Sequence, residues 1–279
     1  VSCNHPILRF SSRELGVLRM ARQPGDGLFA WYDIMAVDEA ATNPFYSALF
    51  GWEFSDDPRP NDGYRMVMFE GKGLGGSLPW KAESGRSAWM GYIQITGIEA
   101  MVERARALGA TIFVELMEIP DVGKFAVLDD PTGAALYLYE VAPEFRAPDN
   151  GYDRGPGNII WNELITNDIA RASAFYRDIA GWELVPMTPD PLGYTVAKVD
   201  GDPVAGIFQP AAPPEVSTWI LSVNTADIDA TIAETLELGG KVIHPANTVP
   251  GIGRTAWIAD PTGGVIGLMQ PERGWLDRL

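Results

Sequence analysis

Two acidic residues stand in otherwise apolar runs, one in each half of the sequence. Asp33 lies within Trp31-Tyr32-Asp33-Ile34-Met35, and Glu163 lies within Trp161-Asn162-Glu163-Leu164-Ile165. Runs of this kind are typical of half-buried strands, in which an isolated carboxylate is costly unless it has a partner or a chemical role. A carboxyl group in an apolar pocket also has a raised pKa, which suits it to exchange protons with a bound molecule. Asp33 and Glu163 are therefore the first candidate catalytic residues.

Aromatic side chains are expected around both acids. Alternation along a strand places Trp31 and Asp33 on one face, and Tyr137 lies on the last apolar strand of the same half. If both faces line one pocket, the Tyr137 hydroxyl lies within reach of Asp33 and assists proton transfer. In the second half Gly267 takes the place of Tyr137 and leaves room beside the acid. The candidate substrate-binding residues are Trp31, Met90, Tyr92, Tyr139, Trp161 and Trp219.

The same residues also have a structural interpretation, which stays open at this point. Large aromatic residues such as Trp31 and Trp161 recur at equal positions in both halves, as shared core packing predicts. The two acids could equally be satisfied by backbone N–H groups of a nearby loop or by basic side chains. Tyr137 and Gly267, by contrast, differ between the halves, and such differences are where a duplicated domain can specialise.

The two halves are copies of one another at a constant offset. Trp31 and Trp161 differ by 130 positions, and no gap interrupts this register. The same offset relates Phe45-Tyr46 to Phe175-Tyr176, Gly51-Trp52 to Gly181-Trp182, Tyr64 to Tyr194, Gly76 to Gly206, and Asp130-Pro131-Thr132-Gly133 to Asp260-Pro261-Thr262-Gly263. Two copies of this length indicate a duplicated domain rather than a solenoid. We predict domains at 28–142 and 157–271, a linker at 143–156, a flexible leader at 1–27 and a tail at 272–279.

Each copy alternates strand and helix patterns twice. In the second copy Asp168 predicts a helix N-cap, and a helix is expected from Ile169 to Ala180, before Gly181. In the first copy Asp38 or Asn43 begins the equivalent helix, with Pro44 near its first turn. Several short strands separated by Pro, Asp and Gly follow each helix. The sequence thus predicts an α+β fold with four βαβββ units, two in each domain.

This arrangement resembles the vicinal oxygen chelate superfamily, which includes glyoxalase I, bleomycin-resistance proteins and extradiol dioxygenases. The resemblance depends on Phe-Tyr-x-x-x-x-Gly-Trp at the helix ends, starting at Phe45 and Phe175, and on Asp-Pro-x-Gly before the last strand, starting at Asp130 and Asp260. It covers about residues 28–142 and 157–271 and is similar in particular to the tandem-domain glyoxalase-like subgroup often labelled "hydroxylase". The resemblance implies that each domain curves a mixed sheet around a cup.

The resemblance also implies a divalent metal held by His, Glu or Gln on inner strands of the cup. The residues of this sequence depart from that pattern. At the three ligand positions the first copy has Asp33, Trp89-Met90 and Tyr137, and the second has Glu163, Trp219-Ile220 and Gly267. The histidines, His5 and His244, fall at none of these positions. We therefore predict no metal site and no cofactor.

Two functions fit an acidic, aromatic cup without a metal. The first is a metal-independent lyase, isomerase or hydrolase of a small, partly apolar metabolite, with Asp33 or Glu163 as general acid or base and Tyr137 assisting. The second is a module that sequesters an aromatic or cationic compound by stacking and charge, as the bleomycin-resistance proteins do. A third, a divalent-metal enzyme with atypical ligands, would need additional ligands from elsewhere in the chain.

Composition limits the partners. Thirty-seven acidic residues against 21 basic ones give a formal net charge of −16, which repels nucleic acid and anionic membranes. We therefore expect a small-molecule ligand and neither nucleic acid nor membrane as a partner, while a homodimer is compatible with the sequence. A single cysteine, Cys3, excludes an intrachain disulfide and fits a reducing compartment, so we expect a cytoplasmic location. The Arg- and Ser-rich, acid-poor leader also allows a targeting sequence.

Overall fold

Each copy of the repeat forms one eight-stranded sheet and two helices. The computed structural model describes residues 23–56, 63–81, 85–142, 154–187 and 193–276. The first copy contains β1 (Phe29–Ala36), α1 (Glu39–Phe50), β2 (Glu53–Asp56), β3 (Arg65–Phe69), β4 (Lys72–Pro79), β5 (Ala88–Gln94), α2 (Ile98–Ala107), β6 (Thr111–Ile119), β7 (Gly123–Asp129) and β8 (Ala135–Val141). The second contains β9 (Ile159–Ile165), α3 (Ile169–Ile179), β10 (Glu183–Pro186), β11 (Thr195–Val199), β12 (Asp202–Phe208), β13 (Thr218–Asn224), α4 (Ile228–Glu237), β14 (Lys241–Val249), β15 (Gly253–Ala259) and β16 (Val265–Pro271).

The predicted α+β architecture of two similar halves is confirmed by this element order. The limits proposed for the domains stay predictions. Most of the predicted leader (1–22), most of the predicted linker (143–153) and the last three residues of the tail (277–279) lie outside the described residues.

Both sheets have the same strand order and mixed hydrogen bonding. The orders are β2-β3-β4-β1-β5-β8-β7-β6 and β10-β11-β12-β9-β13-β16-β15-β14. In the first sheet β1 pairs parallel with β4 and antiparallel with β5, and β5 pairs parallel with β8. Since β1 carries Asp33 and β9 carries Glu163, both acids lie on central strands.

Acidic caps start α1 and α3 where the sequence predicts them. Asp38 caps α1 by accepting from the backbone N–H groups of Ala40 and Ala41, and Asp168 caps α3. Pro44 lies inside α1 rather than in its first turn, which excludes the alternative start at Asn43. No helix in the described ranges is both long and apolar enough to cross a membrane.

The helices and one face of each sheet share a single hydrophobic core that spans both copies. Indole groups connect the copies through this core. Trp52 Nε1 donates to the carbonyl oxygen of Gly157 at 2.8 Å, and Trp182 Nε1 donates to that of Gly27 at 2.7 Å. The reciprocal pair gives the two copies one fixed arrangement.

The acids lie on the faces of the sheets that point away from this shared core. Ile34 and Leu164, on β1 and β9, are fully buried in the core. Asp33 and Glu163 precede them directly, and successive side chains of a strand point to opposite faces. We call the face around Asp33 the first cup and the face around Glu163 the second cup.

Candidate functional site

Asp33 is sealed inside the first cup by two tyrosine hydroxyls. The residue is 2% exposed. Tyr64 donates to Asp33 Oδ1 at 2.8 Å, and Tyr92 donates to Oδ2 at 2.6 Å. Trp31 Nε1 donates to the Tyr64 hydroxyl at 2.8 Å and so holds that ring in place. Burial raises the pKa of the Asp33 carboxyl, and the hydrogen bonds from Tyr92 and Tyr64 lower it in part.

Tyr137 packs inside the first cup and does not donate the expected hydrogen bond to Asp33. Its ring stacks on Tyr92 with a centroid distance of 3.9 Å and an interplanar angle of 4°. Its hydroxyl donates to the sulfur of Met35 at 3.6 Å, so the expected hydrogen bond to Asp33 is replaced by the one from Tyr92. The reason is the order of the strands, because β5 lies directly beside β1 whereas β8 is one strand further out. Met90 belongs to the same buried cluster.

Glu163 is held in a similar way but is more accessible. The residue is partly exposed. Trp161 Nε1 donates to the Tyr194 hydroxyl at 2.9 Å, and Tyr194 lies beside the Glu163 carboxyl and lowers its pKa in part. Burial raises the pKa of the Glu163 carboxyl, while the Tyr194 hydrogen bond and the charge of His244 lower it in part. The second cup thus repeats the tryptophan–tyrosine–acid chain of the first.

Tyr64 and Tyr194 are site residues that the sequence patterns did not single out. Tyr64 directly precedes β3, and Tyr194 directly precedes β11. The ring of each tyrosine lies over a glycine of the following strand, Gly76 on β4 or Gly206 on β12. A Cβ atom at Gly76 would lie 2.0 Å from Tyr64 Oη, and one at Gly206 would lie 1.8 Å from Tyr194 Oη. The two tyrosines and the two glycines keep the offset of 130, which is the signal that could have identified them.

The floor of the second cup lacks the two stacked tyrosines of the first. Ser222 and Gly267 pair across β13 and β16, where Tyr92 and Tyr137 pair across β5 and β8. A Cβ atom at Gly267 would lie 2.2 Å from Ser222 Oγ. The serine hydroxyl therefore takes part of the space that the sequence predicted to be empty, and the floor consists of small side chains.

Gly267 and Trp219 lie elsewhere than the sequence predicts. Gly267 belongs to the row of paired residues that contains Trp161, so it is diagonal to Glu163 rather than opposite it. Trp219 lies on the face of β13 that belongs to the shared core, and its Nε1 donates to the Tyr176 hydroxyl at 2.8 Å. The prediction that Trp219 contacts a substrate is corrected, because its ring and the Glu163 carboxyl lie on opposite faces of the sheet.

The remaining predicted binding residues lie at the sides of their cups. The Tyr139 hydroxyl donates to the carbonyl oxygen of Val122 at 2.9 Å, in the turn before β7. Trp161 packs against Trp275 at a centroid distance of 6.0 Å and against Met269. Trp275 belongs to the predicted tail, so the described part of the tail packs on the second copy.

A cavity of about 350 Å³ lies apart from both acids, between the start of α4 and the C-terminal segment. Asn224, Gln270 and Glu272 are among the residues around it. None of the predicted catalytic or binding residues lines it, so we assign it no part in the chemistry.

The residues at the ligand positions do not fit a divalent metal. A catalytic metal needs about three protein ligands and an open position. Both oxygens of Asp33 already accept hydrogen bonds, and Gly267 offers no side chain in the second cup. Across the described parts of the chain, no three His, Cys, Asp or Glu side chains come together in a possible metal site. The residues of the two cups therefore depart from the metal centre that the resemblance implies.

Sequence comparison relates the chain to a known family. The profile of the Glyoxalase/Bleomycin resistance protein/Dioxygenase superfamily matches residues 158–268. A protein of Mycobacterium tuberculosis named "Putative glyoxylase CFP32" is 30% identical over 247 residues, which cover 86% of this chain and 94% of the relative. The anthracycline biosynthesis protein DnrV of Streptomyces peucetius is 29% identical over 269 residues, covering 89% and 95% of the two chains. The chain therefore belongs to this superfamily.

Comparison with solved structures supports the fold. The Mn(II)-bound glyoxalase of Novosphingobium aromaticivorans superimposes with a TM-score of 0.61 at 13% identity, covering 88% of this chain and 82% of that one. At this level of identity the match concerns the arrangement of strands and helices alone. It confirms the tandem vicinal oxygen chelate fold that the resemblance implies.

Proposed function

We propose that the protein is a metal-independent glyoxalase-like enzyme that acts on a small, partly apolar metabolite as a lyase, isomerase or hydrolase. The second cup is its active site, and Glu163 is its general acid and base. The observation that supports this most is that the residue Glu163 is partly exposed beside a floor of small side chains, whereas Asp33 is 2% exposed, although the carboxyl of Glu163 itself is buried. Because burial raises the pKa of this carboxyl, it exchanges protons closer to neutral pH than an exposed glutamate does.

The hydrogen-bond chain around Glu163 suits such a role. Trp161 Nε1 donates to the Tyr194 hydroxyl, and Tyr194 lies beside the carboxyl of Glu163, so a donor stands next to the acid before a ligand enters. A carboxylate has about four lone-pair sites, so Glu163 can accept from Tyr194 and from a ligand together. Asp33, in contrast, is closed by two donors and covered by the Tyr92–Tyr137 stack, so we assign it a structural role.

Native mass spectrometry of protein purified without chelator is the first test. A metal-free protein with an organic adduct would support the proposal and identify the metabolite. A stoichiometric divalent metal that is lost in Glu163→Ala would overturn it, because the acid would then be a metal ligand.

Turnover of that metabolite tests the role of Glu163. Glu163→Gln keeps the size of the side chain but cannot transfer a proton, so we expect kcat to fall by about 10²–10⁴-fold with binding retained. Asp33→Asn is the matched control in the first cup and is expected to keep kcat close to that of the wild type. Equal losses in the two variants would contradict the assignment of the chemistry to the second cup.

Binding without turnover is the second candidate function. Trp161 and Trp257 lie on the same face of the second sheet as Glu163, and DnrV is named for anthracycline biosynthesis. Anthracyclines are planar aromatic compounds, which stack on indole rings with about 0.5–1.5 kcal/mol beyond area burial. Fluorescence titration with daunorubicin, as a representative anthracycline, tests this candidate. We expect Trp257→Ala to weaken binding by about 2- to 10-fold, and the absence of saturable binding to the wild type would remove the candidate.

A further inference from the structure

The outer strand of the first sheet, β6, carries a strip of exposed apolar side chains. Single exposed apolar side chains are common on protein surfaces, whereas a cluster of them marks a surface that binds another molecule. Half of the large apolar side chains that are exposed in the described ranges lie between positions 113 and 119 of β6. They are Phe113 (61% exposed), Leu116 (38%), Met117 (50%) and Ile119 (38%). We call these four residues the β6 strip.

Each acidic residue of β6 has a basic side chain beside it. Arg106 Nη2 donates to both carboxylate oxygens of Glu115, at 2.9 and 3.1 Å. Glu118 lies opposite Lys124 in the pairing of β6 with β7. The strip is therefore apolar with balanced charges around it, although the whole chain has a formal net charge of −16. Such a surface favours an apolar partner surface over a strongly charged partner.

The equivalent strand of the second copy, β14, lacks most of this strip. At the offset of 130 the four positions hold Ile243, Ala246, Asn247 and Val249. Ile243 is the one large apolar side chain of β14 that is exposed. β14 also contains Lys241 and Pro245, which protect an outer strand against association, and β6 has neither Lys nor Pro. Register shifts occur at equal positions of the two strands, so the difference lies in their side chains.

The size of the strip fits an interface with a second copy of the chain. A standard interface covers about 800 Å² of each partner, of which about 57% is apolar, or about 450 Å². At about 200 Å² for a whole aromatic side chain and about half of that for an aliphatic one, the exposed fractions of the strip amount to about 250 Å². The strip therefore supplies more than half of the apolar area that a stable dimer needs from one chain.

A two-fold axis is the arrangement that uses one open outer strand per chain. In such an isologous contact the strip of one chain packs on the same strip of the other, and the assembly closes at two chains. A head-to-tail contact would instead need a second, complementary surface on each chain. β14, the equivalent outer strand, does not provide one, because Lys241 and Pro245 protect it.

We propose that the protein is a homodimer in which the β6 strips of two chains pack against each other across a two-fold axis. This inference does not depend on the proposed function, because no residue assigned to the second cup belongs to the strip. The contact is apolar, and each chain carries a net charge of −16. Added salt therefore stabilises the dimer, since it screens the repulsion between the two chains.

Analytical ultracentrifugation of the full chain, from about 0.1 to 100 µM, tests the dimer. We expect a monomer–dimer equilibrium with a lower Kd at high salt than at low salt. Phe113→Glu is expected to raise this Kd by about 100-fold or more, because a two-fold contact buries the new charge twice. Ile243→Glu is the matched control, since it makes the same change at the equivalent exposed position of β14, and we expect an unchanged Kd.

Both residues are exposed in the single chain, so both variants should fold, which circular dichroism checks. Met117→Glu is a second variant of the strip and is expected to weaken the dimer in the same direction. A chain that stays monomeric over the whole range would overturn the proposal. A dimer that Phe113→Glu and Met117→Glu leave intact, or that Ile243→Glu weakens equally, would also overturn it, because the contact would then lie on another surface. An assembly that grows beyond two chains would contradict the two-fold contact.

Discussion

The two cups start from the same hydrogen-bond chain and end in different states. In each cup an indole N–H holds a tyrosine hydroxyl, and that hydroxyl holds an acid on the central strand. In the first cup Tyr92 closes the second oxygen of Asp33, and Tyr137 stacks over Tyr92. In the second cup small residues replace both rings, and Glu163 stays partly exposed.

The cups therefore differ at two positions of the floor, which are Tyr92 and Tyr137 in the first cup and Ser222 and Gly267 in the second. Large rings at these positions fill the first cup, and small residues leave space in the second. A fully buried aromatic side chain contributes about 1.5–3 kcal/mol to stability through the area it removes from water. The rings of the first cup therefore stabilise the fold, whereas the small residues of the second cup leave space beside Glu163. In both copies a tyrosine and the glycine that makes room for it accompany the acid. If the proposed function holds, the first half supplies stability at this position and the second supplies chemistry.

Exchanging the floor residues between the cups has the largest expected effect. Ser222→Tyr places a ring above Gly267, and we expect the affinity for the metabolite identified by native mass spectrometry to fall by about 10- to 100-fold, from an overpacking cost of about 1–3 kcal/mol. The reverse exchange, Tyr92→Ser, is expected to leave that affinity unchanged and to lower the free energy of unfolding by about 3–5 kcal/mol. Isothermal titration calorimetry and urea unfolding measure the two effects. Unchanged affinity in Ser222→Tyr would show that the ligand lies elsewhere.

Removing single hydroxyls from the stacked pair tests how the first cup is closed. Tyr92→Phe leaves Asp33 Oδ2 without its donor, and an unsatisfied buried acceptor costs about 1–3 kcal/mol. Tyr137→Phe removes only a hydroxyl that donates to the sulfur of Met35, a weak acceptor, so a loss below about 1 kcal/mol is expected. Urea unfolding at neutral pH compares the two variants. Similar losses in both would mean that the stack, and not the hydrogen bond to Asp33, keeps the cup closed.

Much of the fold follows from the sequence because the repeat has one offset and no gap. Equal spacing of Trp, Gly and Asp-Pro-Thr-Gly motifs predicts two equal domains, and both form the same strand order. Alternation along β1 and β9 fixes the face on which each side chain lies. The sequence therefore indicates that Asp33 and Glu163 lie on equivalent faces of the two sheets. Local rules suffice wherever a residue and its partner lie on one element.

Contacts between elements are the part that local rules miss. Tyr92 rather than Tyr137 reaches Asp33, because the order of strands in the sheet decides which ring is adjacent. Trp219 faces the core, because its register against β9 places it opposite Leu164 rather than Glu163. Strand order and register are tertiary properties, and neither appears in the residue pattern.

The end of β7 provides the smallest and last test of how the copies differ. The first copy has Asp129 beside Asp130, whereas the second has Ala259 beside Asp260. Burial, followed by the charge of Asp130, raises the pKa of Asp129 to about 6. Since the folded-state pKa lies above the unfolded value, the stability linked to this group is present at low pH and is lost as the pH rises through about 6.

Asp129→Ala makes the first copy like the second at this position. Relative to the wild type, we expect its free energy of unfolding to increase as the pH rises from about 4 to 7, by less than about 1 kcal/mol because solvent screens a partly exposed group. Urea unfolding at several pH values measures the difference, in which the contributions of Asp33 and Glu163 cancel because both proteins retain them. A difference that does not change with pH would show that Asp129 has the same pKa in the folded and unfolded chains. The pair of acids Asp129 and Asp130 would then carry no electrostatic cost in the first copy.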